Sequence, residues 1–316
     1  MKVLITTPWV ARYVDNFRAD FPQVEFLTGE SEVDLVAAAG DAEIVFGPVS
    51  SPVLRAAESL RWIQSGSAGV EWMRNTPELA GTDITVTNTR GAHATTIAEH
   101  AFGMLFFLTR GFDALYEAQK AHDWQRPLKK PGVGVVGMTM GIIGLGNLGR
   151  AIAERAVAFK MRVIAVDAHE IPKPDYVSEL RLLDGLDDLL SRCDVVVVTT
   201  PITPETRGML GPDKLRLMQP SAYLLVMSRG GIIDEPALVE MLREGKLAGA
   251  GLDVAAIEPL PPESDLWDAP NVIITPHSSP TSSQTHGNVA AIMADNLKRY
   301  LAGEPLTNSV DKKLGY

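Results

Sequence analysis

The stretch "GIIGLGNLGRAIAERAVAFKMRVIAVD" restricts the possible folds of this chain more than any other. Gly144, Gly146 and Gly149 stand in G-x-G-x-x-G spacing. The spacing alone is weak, but its context is complete: an apolar run precedes it, an amphipathic helical pattern begins inside it, and a second apolar run ends in Asp167. In a strand–turn–helix–strand unit each of these glycines has its own mechanical role. Gly144 permits the tight turn, Gly146 lets the backbone approach a pyrophosphate, and Gly149 lets the helix pack close to the sheet. The helix N-terminus offers free N–H groups and partial positive charge to phosphates. Asp167 can accept the hydroxyls of an adenosine ribose and repels a 2′-phosphate, and in "DAHEIPKP" behind it Lys173 is the only close cation. The expected cofactor is a dinucleotide, NAD(H) in preference to NADP(H).

Around this unit the chain alternates strand and helix patterns. "MKVLITTP", "EIVFGP", "LRWIQSGSAGV" and "ITVTNT" read as strands, with helical patterns such as "EVDLVAAAGDA" and "SPVLRAAESL" between them. After the glycine turn "DVVVVTT", "AYLLVMS", "LAGAGLDV" and "NVIIT" are further strands, and "SQTHGNVAAIMADNLKRYLAGEP" is a closing helix. Such alternation implies parallel sheets covered by helices. Between the two blocks, "TIAEHAFGMLFFLTRGFDALYEAQKA" reads as one helix of about 25 residues, too apolar for a free linker, that crosses between domains or lies in a subunit interface. A chain of 316 residues holds two domains of ordinary size. The expected division is 1–96 with 284–316 as a substrate domain and 97–283 as a dinucleotide-binding domain.

Composition narrows the function classes. A formal charge of −10 argues against nucleic acid, which needs clustered Lys and Arg. An anionic substrate must then be held by local cations. No apolar run reaches the roughly 18 residues of a membrane-crossing candidate, and the N-terminus reads as a first strand, with no signal-peptide pattern. Cys193 is the single cysteine, which excludes an internal disulfide or a cysteine-built metal cluster and suits the cytoplasm; its place at a strand entrance suggests a small buried residue. No metal site is expected.

Three further stretches put polar residues at strand ends in the second block. "VMSRGGIIDEPAL" has Arg229 after a strand, "GLDVAAIEPLPP" has Asp253 at a strand end with Glu258 beyond it, and "NVIITPHSSP" has His277. In an open α/β sheet, ligands bind beyond the carboxyl ends of the strands. All of these residues fall on that edge, together with the glycine turn.

The pattern resembles the D-isomer-specific 2-hydroxyacid dehydrogenase family. The resemblance runs from "SGSAGVEWM" through "GIIGLGNLGR", "TTPITPETRGML" and "SRGGIIDEPALVEMLREGKLAGAGLDV" to "EPLPPESDLWDAPNVIITPH". The ending "NSVDKKLGY" looks like the glyoxylate/hydroxypyruvate reductase subgroup. It implies a Rossmann-type cofactor domain inserted into a flavodoxin-like substrate domain, and a homodimer, which "EAQKAHDWQRP" also suggests. The implied activity is interconversion of a small 2-keto acid and a D-2-hydroxy acid, in a two-domain cleft that closes on the substrate. The family's catalytic trio maps onto Arg229, Glu258 and His277. A guanidinium fork holds carboxylate and carbonyl oxygens together, an imidazole gives and takes the proton, and a carboxylate fixes the imidazole tautomer. Pro276 and Pro280 are expected to steady His277. By the same resemblance, Asn147 and Leu148 line the pyrophosphate, Thr200 and Pro201 the adenosine end, Met227 and Ser228 the nicotinamide ribose, and Asp253 the carboxamide. The backbone of Ser67, Ala68 and Gly69 is implied to hold the substrate carboxylate, alongside Arg229 and His277.

The chain departs from the family pattern at Val226, where an Asn is usual, and in "VVGMTMG" ahead of the glycine unit. Of the remaining histidines, His93 can face the cleft, His100 reads as structural, and His122, His169 and His286 show no partner in the sequence. Trp267 reads as core or interface packing. Two other classes of function compete: a dinucleotide-sensing, corepressor-like binding protein, and a dehydrogenase of another small anion such as phosphite. An intact trio argues against the first, and Glu258 in place of Gln argues against formate as the second's substrate.

Overall fold

A computed structural model describes residues 1–124 and 132–312. Part of the "EAQKAHDWQRP" motif and the last four residues of "NSVDKKLGY" fall outside the described residues. The chain forms two compact units, Met1–His93 with the segment from Ser282 onward, and Ala94–Thr281.

The first unit holds a parallel sheet of β1 (Lys2–Ile5), β2 (Glu25–Thr28), β3 (Ile44–Phe46), β4 (Trp62–Gln64) and β5 (Thr85–Thr87), ordered β2-β1-β3-β4-β5. This is the flavodoxin-like order, whose switch point lies between β1 and β3. Both faces are covered, because alternate residues of each strand enter opposite cores. Val3, Ile5, Phe46 and Trp62 pack with Val289, Met293 and Leu297 of the last helix, while Leu4, Val45 and Ile63 pack on the other side with Val53 and Leu79. That last helix, Ser283–Ala302, starts at Ser282, whose side chain accepts the Thr285 N–H, and stops at Gly303 in the left-handed conformation.

The second unit holds β6 (Thr139–Ile143), β7 (Arg162–Asp167), β8 (Glu179–Leu182), β9 (Val195–Val198), β10 (Tyr223–Val226), β11 (Gly249–Leu252) and β12 (Val272–Ile274). All are parallel, in the order β12-β11-β10-β9-β6-β7-β8. The chain moves outward from β6 to β8 and then crosses back to β9, so the switch point of a Rossmann-type sheet lies between β6 and β9. Again the strand period divides the core: Val195, Val197 and Leu225 face one side, Val196, Val198 and Val226 the other.

The apolar stretch between the blocks is not one helix. It breaks at Gly111, left-handed at φ +62°, into Ala94–Arg110 and Phe112–Lys120. The first of these covers β11, where the lack of side chains at Gly249 and Gly251 lets Leu108 and Met104 approach; a Cβ on Gly251 would stand 3.1 Å from the Met104 sulfur. Among the described residues no helix is long and apolar enough to cross a membrane.

Candidate active site

Because β6 to β12 are parallel, the segments that leave their carboxyl ends share one edge of the second unit. The glycine turn leaves β6 there. Gly144 has φ +94°, a conformation that other residues rarely adopt. A Cβ on Gly149 would lie 2.2 Å from the Gly144 carbonyl oxygen, so the helix Asn147–Ala158 packs on the turn only because that atom is missing. Added to Gly146, a Cβ would meet nothing within 4 Å, which leaves open space at the helix N-terminus, where no side chain caps the free amides. Asp167, at the end of β7, accepts the Leu145 amide at 2.7 Å and the His169 amide at 3.1 Å. A carboxylate has about four acceptor positions, so capacity for ribose hydroxyls remains. Thr200 stands against Gly144, and its hydroxyl and that of Ser228 are buried without a partner among the described residues. Open space, uncapped amides and two orphaned hydroxyls on one sheet edge fit a dinucleotide. Pro201 follows Thr200 and accepts the Thr206 hydroxyl at 2.8 Å; Met227 is buried. Lys173 donates to Val177 O at 2.7 Å, and Arg150, a cation that the local sequence did not signal, donates to Leu145 O and Pro172 O.

Glu258 and His277 are brought together. Glu258 Oε2 lies 2.8 Å from His277 Nδ1, and since an ionised carboxylate only accepts, Nδ1 carries a proton and Nε2 is left for chemistry. Glu258 Oε1 also accepts the Ala255 amide at 3.0 Å, and Glu235 accepts the next amide, Ala256, at 2.6 Å. Arg229 follows β10 and donates from Nη1 to Ser228 O at 2.7 Å. Gly230 behind it touches the Glu258 loop so closely that a Cβ would stand 1.8 Å from Ala255 O. The three side chains thus leave adjoining backbone segments. Val226, the residue singled out in the sequence as a departure, lies in the core at 1% exposure.

His277 has φ +50°, and its amide donates to Asp253 O at 2.8 Å and Thr275 O at 2.9 Å. The Asp253 carboxylate, 1% exposed, accepts the amides of Ser278 and Ser279 and the Thr275 hydroxyl. A buried carboxylate, rather than the flanking prolines alone, organises the turn. Neither this arrangement nor the Glu235 contact has a local signal in sequence, since both join segments distant along the chain.

In the first unit, Gln64, Thr87 and Asn296 form a buried hydrogen-bonded group under the loop that follows β4. In that loop Ser67 N donates to Ser65 Oγ at 3.3 Å, Ser67 Oγ donates to Gly69 O at 2.7 Å, and Asn88 holds Ala68 O at 2.8 Å. Among the described residues, the Ala68 and Gly69 amides have no acceptor. His286 stacks on Trp9 with ring centres 5.0 Å apart, a partner the sequence did not indicate. Trp267 is not core: half its surface is exposed, and its indole donates to Pro261 O at 2.9 Å.

Two doubly wound α/β units, one carrying a dinucleotide turn beside a His–Glu pair, define a class of two-domain dehydrogenases. Residues 102–279 match the family model "D-isomer specific 2-hydroxyacid dehydrogenase, NAD binding domain". The chain is 35% identical over 271 residues to a glyoxylate reductase of Korarchaeum cryptofilum, covering 84% of this chain and 81% of that protein. It is 32% identical to a D-3-phosphoglycerate dehydrogenase of Methanocaldococcus jannaschii, of whose length it spans 59% while 98% of this chain is matched. A crystal structure of a D-isomer specific 2-hydroxyacid dehydrogenase family protein from Aeromonas salmonicida superposes with a TM-score of 0.87 at 32% identity, over 98% of this chain and 99% of that one. The chain belongs to the D-isomer specific 2-hydroxyacid dehydrogenase family, and its second unit is a nicotinamide-dinucleotide-binding domain.

Proposed function

We propose that this protein is an NAD(H)-dependent oxidoreductase that interconverts a small 2-keto acid and the D-2-hydroxy acid, with glyoxylate or hydroxypyruvate as the first candidates. The observation that carries the reading is the 2.8 Å contact of Glu258 with His277 Nδ1, on the sheet edge that carries the glycine turn. In reduction, His277 Nε2 gives a proton to the carbonyl oxygen, and in oxidation it takes one back. Glu258 holds the imidazole in the tautomer and orientation this requires. Arg229 binds the carboxylate of the substrate through its planar fork, and in the first unit the amides of Ala68 and Gly69, next to Ser67, are suited to the same anion. Gly144, Gly146, Asn147, Leu148, Gly149, Asp167, Thr200, Pro201, Met227 and Ser228, with Asp253 beyond, would hold the dinucleotide, which would supply or receive the hydride. Asp167 beside the turn, with Lys173 and Arg150 donating to backbone carbonyls, supports NAD(H) over NADP(H).

We assign residues 94–281 to the cofactor and the remainder to the substrate. Exposed Phe112, Tyr116 and Trp124 favour a homodimer, and the lone buried Cys193 suits the cytoplasm. The test is NADH oxidation with a panel of 2-keto acids, repeated with NADPH and with His277→Ala. Turnover of one class, preference for NADH and a loss of about 10² to 10⁴ in kcat for the variant are expected. Tight NADH binding without turnover of any 2-keto acid would refute the reading.

A further inference from the structure

Beside the turn of His277 a polar chain ends on Asp253, and its other two members, His100 and Thr275, have no part in the reaction just described. His100, on the helix Ala94–Arg110, places Nε2 3.0 Å from Thr275 Oγ1. Thr275 Oγ1 donates to Asp253 Oδ1 at 2.5 Å, and the same oxygen accepts the amides of Ser278 at 3.0 Å and Ser279 at 3.1 Å. A hydroxyl has one proton, and here it goes to the carboxylate. The imidazole is therefore the donor to Thr275, so the direction of the whole chain is fixed from His100 through Thr275 to Asp253. His100 Nε2 also stands 3.8 Å from Asp253 Oδ1.

The far end of this chain is the backbone of His277. Its amide donates to the carbonyls of Asp253 and Thr275, and its φ of +50° is one that a non-glycine residue keeps only where its surroundings impose it. We propose that His100 is a positioning residue for His277, acting through Thr275 and Asp253 to hold that turn against a rigid helix. The inference rests on the acid/base reading of His277 given above. Without His100, Asp253 keeps its amide and hydroxyl donors, but the Thr275 side chain loses the donor that fixes its rotamer. Reacting groups tolerate little displacement, so the loss falls on turnover rather than on cofactor binding.

The test compares the full-length parent with His100→Phe, His100→Gln and Thr275→Val. His100→Phe is expected to lower kcat roughly tenfold with the KM for NADH changed less than about twofold, and His100→Gln, which restores an N–H donor, to return within about threefold of the parent. Thr275→Val breaks the same chain, carries the test if His100→Phe does not fold, and should not add to it in the double variant. An unchanged kcat in both His100→Phe and Thr275→Val, or a loss that Gln does not recover, overturns the inference. If the parent reduces no 2-keto acid, the acid/base reading fails by itself, and carbethoxylation of His277 by diethyl pyrocarbonate, followed by peptide mass spectrometry, decides the positioning role. Several-fold faster modification in His100→Phe than in the parent or His100→Gln supports it; equal rates overturn it.

Discussion

At the scale of single residues, missing atoms position the site as much as present ones. Gly230 is the sharpest case, since its absent Cβ is what lets the turn after Arg229 touch Ala255 and Ala256 on the way to Glu258. Gly230→Ala must separate the two segments. The expected result is a loss of stability of about 1–3 kcal/mol, as in other overpacked sites, with a drop in kcat/KM larger than that of an alanine placed at Gly40, which has open space around it and no left-handed backbone. Denaturant melts and steady-state rates on both variants check this. Cys193, by contrast, is plain packing. It is fully buried against Gly141, and burial pushes its thiol up to about 12, so it stays protonated at neutral pH.

At the scale of elements, the helix Glu235–Arg243 links stability to the site. Asp234 caps it by accepting the Ala237 amide at 2.9 Å, and Glu235 in its first turn reaches out to the Ala256 amide. Burial, reinforced by the nearby Asp234 and Glu258 and opposed by the Ala256 amide, raises the Glu235 carboxyl above its ordinary value. A carboxyl with a raised native pKa binds its proton more tightly folded than unfolded. Its contribution to stability is present in acid and is lost as pH rises through the raised value. Gln does not titrate, so Glu235→Gln should gain stability relative to the parent between about pH 4 and 7. Urea unfolding across that range measures it, and a constant difference would contradict the assignment.

The elements also show where a strand pattern is hard to read. The central strands were legible, because burial on both faces demands continuous apolar runs such as Val195–Val198. β2 and β8 carry no strand pattern legible in the sequence. Both are sheet edges, and "EFLT" and "ELRL" keep polar or exposed residues because they have a single neighbour strand and partly solvated faces. The apolar stretch around Gly111 likewise reads as one longer helix, since a lone Gly inside a helical pattern does not announce its left-handed φ.

At the scale of the whole molecule, each unit has cores on both faces of its own sheet, so a ligand of one unit stabilises that unit first. Binding at 100 times Kd contributes about 2.7 kcal/mol. Hydrogen exchange with saturating NADH should therefore slow at residues 144–150, 199–201 and 226–229 of the second unit. Protection confined to residues 1–93 would displace the cofactor from the glycine turn.

By itself, the sequence determined the parallel α/β character of both units, the glycine turn and the residue types at the strand ends. These follow from local periodicity and backbone sterics, which act over a few residues. Only the tertiary structure decided that Glu235 steadies the Glu258 loop, that Gly230 joins it to Arg229, and that His100, Thr275 and Asp253 gather around the turn of His277. Hydrogen bonds and close packing depend on distance in space, and His100 and Thr275 lie 175 positions apart along the chain.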